Sequence, residues 1–159
     1  MMKSIRIGIE KKAATALVDK LNVLLAHTQM FYINTRGLHW NIRGEKFFEL
    51  HLKFEELYND LNLKVDEIAE RILTLEGTPL HTYSAYAKNS KIKELIDVSD
   101  SAEGIEAILQ SLSLLISQER DILSIANEAN DEGTSALMSD YIRQQEKLVW
   151  MYSAFAQKD

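Results

Sequence analysis

Apolar residues recur at intervals of three and four along four separate stretches of the chain, and a segment of about twenty residues without that period divides the second stretch from the third. From Lys11 to Leu38 the series is Ala14, Leu17, Val18, Leu21, Leu24, Leu25, Phe31 and Leu38, with Asp19, Lys20, Asn22 and Asn34 between them. That pattern predicts a long amphipathic helix. A second begins after a turn at Gly44 and carries Phe47, Leu50, Phe54, Leu57, Tyr58, Leu61, Val65, Ile68, Ile72 and Leu75, with Gly77 as its end and Pro79 as a stop. Residues 78 to 98 hold no sustained period, although Ser84 to Ala87 or Ile92 to Ile96 each suit a short helical piece. A third helix opens at Asp100, whose spacing to Glu103 fits a capping box, and runs through Ile105, Ile108, Leu112, Leu115, Ile116, Ile122 and Leu123. A fourth follows Gly133, with Leu137, Tyr141, Ile142, Leu148, Val149, Tyr152 and Phe155 on one face and Trp150 read as core. Two helical hairpins joined by a long crossover predict an all-α, four-helix bundle with a short helix in the crossover.

Composition limits what such a bundle can hold. One proline and six glycines leave little punctuation, and the absence of cysteine removes disulfides, zinc-thiolate sites and iron–sulfur clusters. A metal here must be held by nitrogen and oxygen. The opening MMKSIRIGIEKK has no apolar run of the secretory kind, and no stretch approaches a membrane span, so the expected location is cytoplasmic. Eighteen Lys and Arg against 24 Asp and Glu give a net charge of −6, which disfavours a broad phosphate-binding surface and suits attraction of cations.

The residues that carry chemistry are His39, His51, Glu55, Asp66 and Glu70. Imidazole with carboxylate and no thiolate suits iron better than a closed structural zinc site. With His51 set at zero on the second helix, Glu55 falls at roughly 40°, Asp66 at roughly 60° and Glu70 at roughly 100°, beside an apolar stripe centred at roughly −60°. These side chains lie at the edge of the core. His51 and Asp66 are fifteen residues apart, a rise of roughly 22 Å, so one ion cannot touch both within one chain. Two copies packed antiparallel about an axis near Tyr58 and Asn59 would instead bring His51 of one copy opposite Asp66 of the other. A site inside a single bundle would use Glu-x-x-His pairs, and no histidine here has a glutamate three positions before it. His27 and His81 have no carboxylate at ligand spacing and are read as structural or surface residues.

LHW at 38–40, FFELH at 47–51 and DEIAER at 66–71 resemble the signature of the Dps family, ferritin-like mini-ferritins also described as DNA-binding proteins from starved cells. The resemblance spans residues 1–159 as a single ferritin-like domain, including the LVWMYSAF segment. It implies a di-iron ferroxidase centre between two-fold-related subunits, with His39 and His51 from one and Asp66 and Glu70 from its neighbour, and with Glu55 serving a second, weaker iron. It further implies a homododecameric shell that oxidises Fe(II) with hydrogen peroxide and stores the ferric mineral, protecting against oxidative stress. Trp40 falls where the family has an aromatic thought to intercept oxidising equivalents, and packing at a helix end explains it equally well. Glu128, Asp131 and Glu132 fall at the family's three-fold pore, whereas Ala136 stands where an acid is found elsewhere. DNA binding is expected to be weak or absent, because the segment before the first helix offers only Lys3, Arg6, Lys11 and Lys12. The alternative is a protein whose main task is coating DNA, with iron binding secondary. A gel shift of the assembled protein at about 0.15 M salt separates the two, with no tight complex expected.

Overall fold

The structure is a computed structural model that describes residues 3–157. Five helices follow in the order α1 (Lys11–Asn41), α2 (Phe47–Thr74), α3 (Tyr83–Asn89), α4 (Ser101–Glu128) and α5 (Glu132–Ala156). Helix α1 packs along α2 and α4 along α5, α1 also lies against α4, and α3 rests on α1. This is the four-helix bundle expected, with the short helix of the crossover at the first of its two candidate places; residues 92–96 are not helical. None of the described helices is long and apolar enough to cross a membrane.

The core is built from the stripes the period marks out. Leu17, Leu21, Leu24 and Phe31 of α1 meet Phe54, Leu61, Ile68 and Ile72 of α2 and Ile108, Leu112 and Ile122 of α4, all fully buried. Helix α5 contributes Met138, Tyr141 and Tyr152. Trp150 does not join them, being 67 % exposed. It stands two residues before Tyr152, roughly 200° around the helix, and so points away from the core side.

Two glycines act differently from the reading of the sequence. Helix α2 ends at Thr74, and Glu76 rather than Gly77 takes the left-handed position, with φ 62°. Gly77 is needed because a Cβ there would lie 2.5 Å from a Val18 methyl. Helix α5 starts one residue before Gly133, with Asp131 as its N-cap accepting from the Thr134 N–H. Gly133 lies inside the first turn, where a Cβ would come 2.7 Å from the Arg71 guanidinium. That guanidinium donates to Asp131 Oδ1 at 2.7 Å and to Thr134 Oγ1 at 2.9 Å, tying the end of α2 to the start of α5. The cap expected at Asp100 is present, accepting from the Glu103 N–H at 3.0 Å.

Irregular backbone is held by side chains of α1. Asn22 donates to the Thr78 carbonyl at 3.1 Å and accepts from the Leu80 N–H at 2.8 Å, and Asn34 does the same with Lys93 and Leu95 at 2.8 and 3.0 Å. Each asparagine therefore pairs with the extended crossover much as a neighbouring strand would. Residues 3–10 fold back on themselves: the Ile5 N–H donates to the Ile9 carbonyl at 2.8 Å and the Lys11 N–H to that of Lys3 at 2.8 Å. Ile5 and Ile9 are buried in the core, and Gly8 turns the loop at φ +89°.

One polar group of residues sits inside the bundle. The buried Lys64 ammonium donates to Asp60 at 2.6 Å and Gln144 at 2.9 Å and lies 5.1 Å over the Tyr141 ring. Glu119, 1 % exposed, accepts from Gln145 at 2.9 Å. Burial pushes the Glu119 carboxyl up from 4.5 to about 8, against the opposing pull of that hydrogen bond and of Lys64. Between those two values the unfolded chain has released the proton that the fold retains, so this group makes stability fall as pH rises through the window. Glu119→Gln removes that dependence. Urea unfolding at pH 5 and pH 8 is expected to show the variant gaining on the wild type by roughly 1–3 kcal/mol at the higher pH.

Candidate metal centre

The turn at Gly44, with φ 107°, brings the last turn of α1 against the start of α2. His39 and His51 meet there. The ring of His39 donates from Nδ1 to the carbonyl of His51 at 2.6 Å, and His51 donates from Nδ1 to the carbonyl of His39 at 2.8 Å. The two rings stack at 3.8 Å between centroids with 14° between planes. The His39 carbonyl is free for this because it lies in the final turn of α1, and the Arg43 N–H turns instead to the carbonyl of Ser99 at 3.0 Å. Phe47 covers the other face of His51 at 5.0 Å, and Tyr58 meets His39 edge-on at 5.3 Å.

This exchange of bonds decides the tautomer. A carbonyl oxygen only accepts, so each Nδ1 must carry its hydrogen, and the lone pair of each neutral ring is left at Nε2. Histidines that ligate metals commonly have the other ring nitrogen anchored in this way. Each ring therefore has Nε2 left over that could hold a metal, and imidazole donors fit an intermediate metal such as ferrous iron.

The carboxylates are placed differently. Glu55 is half-buried one turn beyond His51, whereas Asp66 and Glu70 are exposed near the far end of α2, one turn from each other. Among the described residues, no three histidine, aspartate or glutamate side chains come together within the chain. The bundle interior holds the Lys64 ammonium beside Glu119. Only His39 and His51, of the five residues singled out in the sequence, are brought into contact inside one subunit.

A family description of a ferritin-like domain matches residues 18–159. The chain is similar to a DNA protection during starvation protein of Porphyromonas gingivalis, at 43 % identity over 95 % of each chain. Its structure is similar to that of a Dps protein from Vibrio cholerae O1, described as a member of a broad superfamily of ferritin-like diiron-carboxylate proteins, at 54 % identity, a TM-score of 0.97 and coverage of 99 % of both chains. The chain belongs to the Dps family of ferritin-like proteins. A Dps protein from Bacillus brevis is a more distant neighbour at 32 % identity and a TM-score of 0.89, covering 92 % of this chain and 98 % of its own.

Within this Dps chain the acidic turn between α4 and α5 is not uniform. Glu128 and Glu132 are exposed, but Asp131 is buried against Arg71 and caps α5, so it is committed to the fold. Ala136 is exposed. His27 is buried, with Nδ1 2.5 Å from Gln118 Oε1, and burial lowers its affinity for a proton. His81 is exposed and bonds only to the carbonyl of Pro79, at 3.0 Å. Two residues that pack beside Tyr58 escaped the reading of the sequence: Tyr32 and Arg36. Arg36 donates to the Tyr32 hydroxyl at 3.0 Å and lies 4.9 Å over the Trp40 ring. The spacing of four from residue 32 to 36 to 40 on one helix was the available signal.

The tautomer is directly measurable. The solid-state 15N spectrum of metal-free Dps at about pH 8, where ordinary imidazoles are neutral, is expected to show protonated Nδ1 and unprotonated Nε2 for His39 and His51. A protonated Nε2 with a bare Nδ1 on either ring would contradict the reciprocal bonding.

Proposed function

We propose that this Dps protein stores and detoxifies iron as a ferroxidase, oxidising Fe(II) at sites shared by two subunits and depositing ferric mineral inside a homododecameric shell. In this reading the whole chain, 1–159, is one shell-forming unit that works in the cytoplasm and limits oxidative stress. The observation that carries it is the histidine pair, two Nε2 lone pairs held ready while Asp66 and Glu70 of the same helix stay out of reach.

A second copy of the chain is the partner that completes the set. Phe48, Leu52 and Leu63 are 85 %, 53 % and 65 % exposed and share the face of α2 that bears Asp66 and Glu70, an apolar strip of the kind that is covered in an assembly. With α2 packed antiparallel so that His51 opposes the partner's Asp66, Leu52 comes opposite Val65 and Phe48 opposite Ala69, which are half-buried positions able to receive them. Each interface then carries two equivalent sites. Imidazoles keep affinity for ferrous iron, and carboxylates stabilise the ferric product. Two ferrous ions give up one electron each to one hydrogen peroxide, whose O–O bond breaks to give two waters after uptake of two protons. Pairing the electrons in this way avoids the one-electron reduction that makes hydroxyl radical.

The rival reading, a DNA-coating protein, has less support. Residues 3–10 are folded against the bundle rather than extended, and their cations are only Lys3 and Arg6. The test is anaerobic loading of Fe(II) followed by peroxide. Two ferrous ions are expected to be consumed per peroxide, and the double change Asp66→Asn with Glu70→Gln is expected to slow the reaction by roughly 100-fold or more while helicity is kept. Unchanged rates in that variant would sink the proposed site.

A further inference from the structure

The surroundings of Trp40 are unusual for an aromatic meant to give up electrons. The Arg36 guanidinium lies 4.9 Å over the Trp40 ring, 5.7 Å from Tyr58 and 6.0 Å from Tyr32. It is anchored by its bond to the Tyr32 hydroxyl at 3.0 Å. Tyr58 in turn touches His39 at 5.3 Å and Tyr32 at 6.0 Å, so one cation faces Trp40, Tyr32 and Tyr58 beside the histidine pair.

We infer that Arg36 is an electrostatic guard that keeps Trp40 and its neighbouring tyrosines from being oxidised. A cation over an indole is attracted to the electron-rich face. Removing an electron turns that attraction into repulsion between two positive charges at close range. Phenols face a second obstacle, since a tyrosine must shed its proton as it loses an electron. The Tyr32 hydroxyl receives a hydrogen bond from Arg36, and among the described residues neither Tyr32 nor Tyr58 donates to a carboxylate or imidazole.

The purpose of the guard rests on the iron and peroxide reading above. Splitting peroxide to two waters takes two electrons and two protons. The first electron comes from a ferrous ion. The second comes either from a second ferrous ion, leaving two ferric ions, or from the Trp40 indole, leaving a cation radical that then loses its N1 proton. Arg36 biases the choice toward iron and acts through Trp40, as a positioning residue.

The experiment uses no iron, so its failure and the failure of the iron reading are distinguishable. In assembled, metal-free protein carrying Trp150→Phe, Trp40 is the only tryptophan. A photogenerated one-electron oxidant in solution is then applied, and the rate of Trp40 radical formation is followed by transient absorption. Arg36→Gln is expected to speed that step by roughly tenfold, the range a lost cation–π contact and its repulsion imply. Arg36→Lys, which keeps the charge, should remain within about twofold of the parent by the same reasoning. Where Gln disturbs helicity, Arg36→Met replaces it. An unchanged or slower rate in the neutral variant, or a Lys variant as fast as the neutral one, would overturn the guard.

Discussion

The separation of the proposed ligands along an unbroken helix is the constraint on which this reading of the molecule depends. Helix α2 runs for 28 residues, and its regular rise keeps His51 and Asp66 roughly 22 Å apart however the bundle packs. No side chain spans that distance. In the proposed reading one subunit orients its share of the ligands, and two-fold symmetry gathers the rest. The exposed apolar strip beside Asp66 and Glu70 on the same helix fits that reading, in which the face bearing the proposed ligands is also the face a second copy covers.

Several polar side chains hold long elements in register. Asn22 and Asn34 fasten the crossover to α1, and Arg71 with Asp131 fastens α2 to α5 directly beside Glu70. Lys64 and Glu119 lie buried inside the bundle, the part of a four-helix fold in which metal ligands can be placed. An ammonium beside a largely neutral carboxylic acid makes that interior a poor host for a further cation.

The sequence made the helices legible because burial on one side of a long helix leaves a period that chance does not sustain, as in Leu17, Leu21, Leu24 and Phe31. It misplaced Trp150 because apolarity alone does not say which way a side chain points when its neighbours Val149 and Met151 are apolar as well. Asp131 falls with the pore acids in the resemblance, and the sequence hides its commitment to the fold because its partner, Arg71, is sixty residues away. The histidine pair was visible as spacing, but the exchange of bonds that fixes both tautomers depends on backbone carbonyls, which no sequence displays. The same holds for Arg36, whose importance lies in the three rings that surround it.

Sharing of one site by two subunits is the claim on which the functional account stands, and mixed shells address it most directly. Subunits carrying His39→Ala and His51→Ala are unfolded and reassembled with subunits carrying Asp66→Asn and Glu70→Gln, each inactive by itself, and mixing is verified by native mass spectrometry. In a heterodimer one of the two sites then receives both intact histidines and both intact carboxylates. Partial return of peroxide-driven Fe(II) oxidation, rising with the fraction of mixed interfaces, is the predicted result; verified mixing with no recovered activity would contradict it.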